Sequence, residues 1–301
     1  MGAANTLKRL KTIHKPRIIL FQGSPRNKNN CPDQNSKTHL LAQFILNNTP
    51  NNVEIDYCDL SIQPDRSIIQ PCKGCVSTAN GYQCHYPCDC YSAGSDTYPD
   101  LMHDDDIYRR LERADGFLVL SPVHWYSVTT EVKAMFDRLV CCNLTLTAKQ
   151  AKEFGIGKNA EKSISLEQTG ELNSLLKNHY AGKYGAFFIH GDNGGVDYEE
   201  FDVYQDGQYH PNLPPSFMQY AQEGKDGVPT EGKINSPKHA VMPIVWQCRY
   251  SGIFVPDDLI VGMQATTGVS YSEAMKLAET NLDHFYLAGL DLFKKLIQYL
   301  S

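Results

Sequence analysis

Long apolar runs are missing from this chain: no stretch of eighteen consecutive apolar residues occurs, so no segment reads as a membrane span. Clustered positive charge is missing too. The formal net charge is -6, and a nucleic-acid partner would require a concentrated Lys/Arg surface to meet its phosphates. Neither G-x-x-x-x-G-K-[ST] nor G-x-G-x-x-G is present, which removes the triphosphatase loop and weighs against a dinucleotide held in the Rossmann manner. The opening MGAANTLKRLKTIHKPR has basic residues with no apolar stretch behind them, which is not the pattern of a secretory signal. These absences leave a chain without membrane or nucleic-acid partners, expected in the cytoplasm.

Cysteine, in contrast, is plentiful. In a reducing compartment ten cysteines point to buried packing, metal ligation or redox chemistry ahead of disulfides. Five of the ten fall in PCKGCVSTANGYQCHYPCDC, residues 71–90. The spacing of Cys72, Cys75, Cys84, Cys88 and Cys90 is C-x2-C-x8-C-x3-C-x-C, with His85 as a nitrogen donor among them. Four thiolates suit a [4Fe-4S] cluster or tetrahedral zinc, and the spacing fits neither pattern closely. A third reading is a loop of thiols that holds no metal. Cys31, Cys58, Cys248 and the adjacent Cys141 and Cys142 read as packing residues.

The fold is legible from short apolar runs that alternate with amphipathic segments. RIILFQGSPR reads as a buried strand that stops at a Gly-Ser-Pro turn. SKTHLLAQFILNN follows as a helix capped by Ser36, with Leu40, Leu41, Phe44 and Ile45 on one face. NNVEIDYCDL alternates Val53, Ile55 and Tyr57 as a second strand. DDDIYRRLERAD is expected to be a short helix with acidic residues in its first turn. GFLVLSPV is a third strand, and SVTTEVKAMFDRLV a helix turning Val128, Val132, Met135, Phe136 and Leu139 inward. KYGAFFIHGDNGG and DDLIVGMQA supply the fourth and fifth strands, and the chain closes on a long amphipathic helix.

This alternation predicts an α/β fold: a flavodoxin-like, doubly wound, five-stranded parallel sheet with helices on both faces and long loop insertions. The expected organisation is an N-terminal extension over 1–16 and one domain over 17–301, with insertions at about 71–103, 141–182 and 191–235. The last of these is rich in Gly, Pro, Tyr and Asp, a composition suited to a lid or an oligomer contact.

Ligands of such sheets bind outside the carboxyl ends of the strands. Three loops are expected there. Gly23-Ser24-Pro25-Arg26, continuing to Ser36-Lys37-Thr38 at a helix start, offers hydroxyls and backbone amides suited to a phosphate. Simple helix capping by Ser36 and Thr38 is the plainer alternative. Ser121-Pro122-Val123-His124-Trp125-Tyr126-Ser127 carries aromatics into a helix N-terminus, where a flat heteroaromatic ring could stack. The loop from His190 to Gly195 has glycines that permit close approach of a ring.

GSPR with SKTHLL, then DDIYRRLERADG, then SPVHWYSVTTEVKAMFDR, together resemble the NADPH-dependent FMN reductase superfamily of flavodoxin-like flavoproteins, closest to its iron-sulfur flavoprotein branch. The resemblance runs from about Arg17 to Val140 and resumes at GKYGAFFIHGDNGG. It implies FMN as cofactor, with Ser24, Arg26, Ser36 and Thr38 at the phosphate. The ring would be lined by Pro122, Val123, His124, Trp125, Tyr126 and Ser127, and by His190, Gly191, Asp192 and Gly195. His124 and His190 are the candidates for a proton-donating or flavin-stabilising role. NKNNCPDQN, between Arg26 and Ser36, is longer than the family's usual loop and raises the question of whether Arg26 still reaches a phosphate. The implied activity passes electrons from NAD(P)H through FMN to a small acceptor such as a quinone, in a homodimer or homotetramer. A non-enzymatic electron carrier serving protein partners is the alternative. The iron-sulfur branch carries a compact four-cysteine motif where Cys72 and Cys75 lie, and here Ser77 and Thr78 stand where the third cysteine would fall.

Overall fold

The computed structural model describes residues 15–30, 33–75, 84–91, 94–125, 127–154, 160–191, 204–205, 208–209, 237–264 and 282–301. Five strands, β1 (Arg17–Gln22), β2 (Glu54–Asp59), β3 (Gly116–Pro122), β4 (Tyr184–Gly191) and β5 (Ile260–Gln264), form one sheet in the order β2-β1-β3-β4-β5. Every pairing is parallel, with Ile18 opposite Ile55 and Gly116, and Phe188 opposite Leu120 and Val261. This is the flavodoxin-like order.

The inner strands β1, β3 and β4 are buried on both faces because their apolar residues run on without a polar alternate, whereas the edge strand β2, EIDYCD, alternates and is only partly buried. Successive side chains point to opposite faces, so each strand feeds two cores. Ile19, Phe21, Phe117, Val119, Phe187 and Ile189 meet Ile107, Leu111, Val132, Met135, Phe136 and Val245 on one face. These partners come from helices α2 (Ile107–Arg113), α3 (Thr130–Arg138) and α4 (Met242–Tyr250). Ile18, Leu20, Leu118, Leu120, Ala186 and Phe188 meet Leu41, Ile45, Phe285, Phe293 and Leu296 on the other. Those residues belong to α1 (Lys37–Asn47) and α5 (Leu282–Leu300). Residues 265–281, which the sequence assigns in part to the last helix, lie outside the described residues.

Two expectations change. The acidic run Asp104–Asp106 is not the first turn of α2. It is the break between a four-residue helix, Leu101–Asp104, and α2, with Asp106 in the left-handed region at φ 50°. Its role is electrostatic: Asp105 pairs with Arg110 at 2.7 Å and with Arg66 at 2.8 Å, and Arg110 also reaches Asp56 on β2 at 2.8 Å.

The second change is at 141–182, which is not a simple loop. It holds helices Ala148–Phe154, Ala160–Gln168 and Glu171–Leu175 around a small core of Leu146, Ala151, Leu166 and Leu172. Leu146 and Thr147 also pair in parallel with His85 and Tyr86, so the helical insertion is sewn to the cysteine segment. Cys58, Cys141, Cys142 and Cys248 are buried packing residues, as their apolar surroundings suggest. Cys31 lies outside the described residues.

Candidate functional site

The carboxyl edge of the sheet is built by hydrogen bonds from strand ends into loops. Gln22, the last residue of β1 and fully buried, accepts from the Ser24 N–H at 2.5 Å and donates to the Ser24 carbonyl at 3.0 Å. The same amide donates to Asp59 Oδ1 at 3.0 Å and so ties the first two strand ends together. Between them sits Gly23. A β-carbon there would collide with the Val132 side chain and lie 2.8 Å from the Leu120 carbonyl, so only glycine fits. Thr129 caps α3, accepting from the Val132 N–H at 3.4 Å, and its hydroxyl donates to the Gly23 carbonyl at 2.5 Å.

The loop after Ser24 is held by asparagines. Asn27 Nδ2 donates to the Ile62 carbonyl at 2.6 Å, Asn30 Nδ2 to Pro25 at 2.9 Å, and the Lys28 N–H to Asn35 Oδ1 at 3.1 Å. These bonds fold the extra residues back on themselves. Arg26 is consequently not carried away: its Nη2 lies 3.4 Å from the carbonyl of Asn35, the residue just before the α1 cap. Arg26 Nε is buried and has no hydrogen-bond partner among the described residues. An unpartnered guanidinium donor beside a helix N-terminus is the arrangement an anion would complete.

Ser36 is the N-cap of α1, its Oγ accepting from the His39 N–H at 3.1 Å. Thr38 is buried and its Oγ1 lies 2.8 Å from His190 Nε2. His190 is itself buried, with its ring edge-on to Phe285 at a centroid distance of 5.0 Å. Burial, helped by the nearby Lys37 charge, pulls its pKa down to about 3, so the imidazole stays neutral. His190 is thus the buried partner of Thr38, and its ring is committed to the α1 side of the sheet.

On the neighbouring strand, the Val123 N–H donates to the His190 carbonyl at 2.7 Å, and Gly191 packs so closely that an added β-carbon would lie 2.8 Å from Val123 Cβ. His124 and Ser127 close a tight turn through His124 N–H to Ser127 O at 2.7 Å. Trp125 occupies that turn at φ 54° and is 86% exposed. His124 is exposed as well, and Pro122, Val123 and Ser127 are half-buried. Tyr126, Asp192 and Gly195 lie outside the described residues. Glu131, in the first turn of α3, has its carboxyl pKa raised by burial, against a smaller opposing influence of His124.

Residues 16–161 match the NADPH-dependent FMN reductase family. The match covers just under half of the chain and contains the loops of β1 and β3 together with α1 and α3. Among solved structures, RosB with bound 8-demethyl-8-formylriboflavin-5'-phosphate is 12% identical, the likeness covering 95% of this chain and 80% of that one at a TM-score of 0.46. The NAD(P)H:quinone oxidoreductase from Methanothermobacter marburgensis is 12% identical, covering 93% and 100% at 0.43. The azoreductase from Bacillus anthracis str. Sterne is 10% identical, covering 92% and 99% at 0.39. No curated protein matches the chain in sequence.

A guanidinium, a capped helix start and a glycine turn meet at this edge, donors of the kind that suit a phosphate. Gln22, Thr129 and Glu131 were not singled out by the sequence. Gln22 had a signal, a polar residue closing an otherwise apolar strand. Thr129 and Glu131 also had one, as a threonine before an acidic first turn.

The cysteines occupy a different end of the structure. Cys72, Cys75, Cys84, Cys88 and Cys90 line one cavity of about 300 Å³ with Gly74, Asp137, Arg138, Val140 and Gln247. Asp137 and Arg138 end α3, whereas the carboxyl-edge loops meet its beginning. Nine residues of helix separate the two regions by about 13 Å at 1.5 Å per residue. The cavity is therefore not adjacent to the loop cluster within one chain. Arg138 is fully buried in its wall, paired with the equally buried Asp100 at 2.9 Å, and its Nη2 donates to Cys88 Sγ at 3.6 Å.

Among the described residues, no three Cys, His, Asp or Glu side chains gather as a metal-ligand set. Cys75 and Cys90 are 3.1 Å apart, sulfur to sulfur, Cys84 donates to the His85 carbonyl at 3.8 Å, and His85 pairs with Asp89 at 2.9 Å. As arranged here, the thiols bond to one another and to the protein, and do not converge on a common point. Among the described residues no helix is long and apolar enough to cross a membrane.

Proposed function

We propose that the protein is an FMN-dependent NAD(P)H oxidoreductase that delivers electrons to a small acceptor such as a quinone. The observation that carries this reading is the carboxyl edge of the sheet inside the family match: Gly23, Ser24, Arg26 and the capped start of α1 in one place, with the aromatic turn of Trp125 on the next loop. When bound, FMN supplies a two-electron carrier that accepts hydride from a reduced nicotinamide and passes electrons on.

The chain's own residues would then do the following. Arg26 and the first-turn amides of α1 bind the phosphate, with Ser24 and Ser36 shaping the loop. Thr38 adds its hydroxyl. With the His190 proton on Nε2, His190 donates to Thr38 Oγ1 and leaves the Thr38 hydrogen free to turn to the anion. His190 therefore acts as a positioning residue for Thr38. Pro122, Val123, His124, Trp125, Tyr126 and Ser127, with Gly191, Asp192 and Gly195, are assigned to the ring, and exposed His124 is the one histidine of this set open to an incoming substrate. A cluster or zinc ion on the cysteine segment would add a second centre; the donors are of the right kind, but their described arrangement does not gather them.

Anaerobic addition of NADPH or NADH to the purified protein, followed by absorption, is the direct test. The proposal expects bleaching of bound FMN by at least one nicotinamide and reoxidation by a quinone. FMN that is bound but reduced by neither nicotinamide would leave the carrier reading in its place. Arg26→Met should weaken FMN binding roughly ten- to a hundredfold, the loss of about 1.5–3 kcal/mol for a charged hydrogen bond.

A further inference from the structure

We propose that Cys75 and Cys90 form a redox-active dithiol, closed to a disulfide by exchange with low-molecular-weight disulfides such as glutathione disulfide. The pairing is selected by geometry. The two sulfurs are 3.1 Å apart and bear on each other directly. A disulfide is about 2.05 Å long, so closure asks for a sulfur movement of only about 1 Å. The other three cavity cysteines are engaged elsewhere. Cys72 Sγ accepts the Gly74 N–H at 3.4 Å, Cys88 Sγ accepts from Arg138 and from the Cys90 N–H, and Cys84 donates to a backbone carbonyl.

Access divides the roles within the pair. Cys75 is exposed and follows Gly74, which lies in the left-handed region at φ 62°. Cys90 is half-buried, anchored by Lys73 Nζ on its carbonyl at 2.8 Å. Cys75 is thus the sulfur a soluble disulfide meets first, and Cys90 the one that resolves.

The exchange balances as follows. Cys75 loses its proton to solvent and its thiolate bonds to one sulfur of glutathione disulfide, expelling a glutathione thiolate. Cys90, deprotonated in turn, bonds to Cys75 Sγ and expels the second. Two protein thiols are oxidised by two electrons, and one disulfide is reduced to two thiols. In a reducing compartment the link is transient and reports the glutathione poise. While closed, it withdraws two of the five soft donors from the cavity.

The test uses the full chain, equilibrated at a series of glutathione ratios, alkylated and mapped as peptides without reduction. The expected result is one dominant new link, Cys75 to Cys90, that survives in Cys72→Ser. Cys90→Ser should accumulate a glutathione adduct on Cys75, detected by intact mass, and Cys75→Ser should take up much less. Comparable links from Cys75 to Cys72, Cys84 or Cys88, or thiols that remain unchanged at the most oxidising ratio, would overturn the assignment. So would stoichiometric zinc or iron whose removal is required before any thiol reacts. None of these outcomes depends on flavin binding, so the test stands apart from that of the proposed function.

Discussion

Helix α3 has a different chemistry at each of its ends. Its beginning, at Thr129, meets the sheet edge, where neutral polar groups are matched to backbone or to one another: Gln22 to Ser24, Thr129 to Gly23, Thr38 to His190. Its end, at Arg138, meets the cysteine cavity, where a full charge is buried and answered by another, Asp100. Neutral matched groups leave the helix-start electrostatics available for an added anion. A buried ion pair has no such freedom: once desolvated, each partner depends on the other. The first end is suited to receiving a ligand and the second to holding a cavity wall in place around reactive sulfur.

The comparison is most severely broken at Arg138. Arg138→Met should destabilise the fold by roughly 3–5 kcal/mol, because buried Asp100 would lose its guanidinium partner and retain the Gln70 N–H and the more distant His103. Denaturant unfolding measures it, and a loss below about 1 kcal/mol would remove the distinction between the two ends.

Next in size is Gly23→Ala at the other end. The new methyl meets the Val132 side chain and the Leu120 carbonyl, so a loss of about 1–3 kcal/mol is expected together with weaker FMN binding. Retention of both stability and flavin would show that the turn tolerates a side chain.

A third experiment sharpens the neutral character of the sheet edge through pH. The pKa of His190 is lowered from 6.5 to about 3 in the folded chain, so the unfolded state binds the extra proton between those values. Its contribution to stability is complete above pH 6.5 and is lost progressively as pH falls toward 3. His190→Gln should flatten this part of the stability profile, and the ring should show no NMR titration near neutral pH. A midpoint close to that of an exposed histidine would contradict the buried pairing with Thr38.

The smallest effect is expected on the solvent side of α3 itself. Lys133 and Asp137 form an exposed pair one turn apart, and Lys133→Ala should cost at most about 0.5 kcal/mol. A larger loss would mean that the helix surface, and not only its two ends, matters to stability.

Much of this architecture is written locally. RIILFQ, GFLVLSP and YGAFFIHG are recognisable as strands because a parallel strand covered on both faces needs an unbroken apolar run. Val132, Met135 and Phe136 recur at helical spacing and are buried as that spacing requires. The turn after β1 and the Ser36 cap of α1 were legible too, since turn residues and a cap precede a helix. His190 was visible at the end of a strand, but its partner Thr38 is 152 positions away, and no local pattern connects them. The acidic run before α2 misled because Asp106 takes a left-handed conformation and breaks the helix there.

The sequence by itself determined the number and kind of the sheet strands, the faces that α1 and α3 bury, and the polar turns that end the strands. Those follow from short-range periodicity and turn chemistry, which act within a few residues. Tertiary structure alone decided that Arg138 is buried against Asp100, that His85 and Tyr86 are sewn to Leu146 and Thr147, and that of five clustered cysteines Cys75 faces Cys90. Such pairings depend on how distant segments pack, and spacing along the chain does not encode the direction in which a sulfur points.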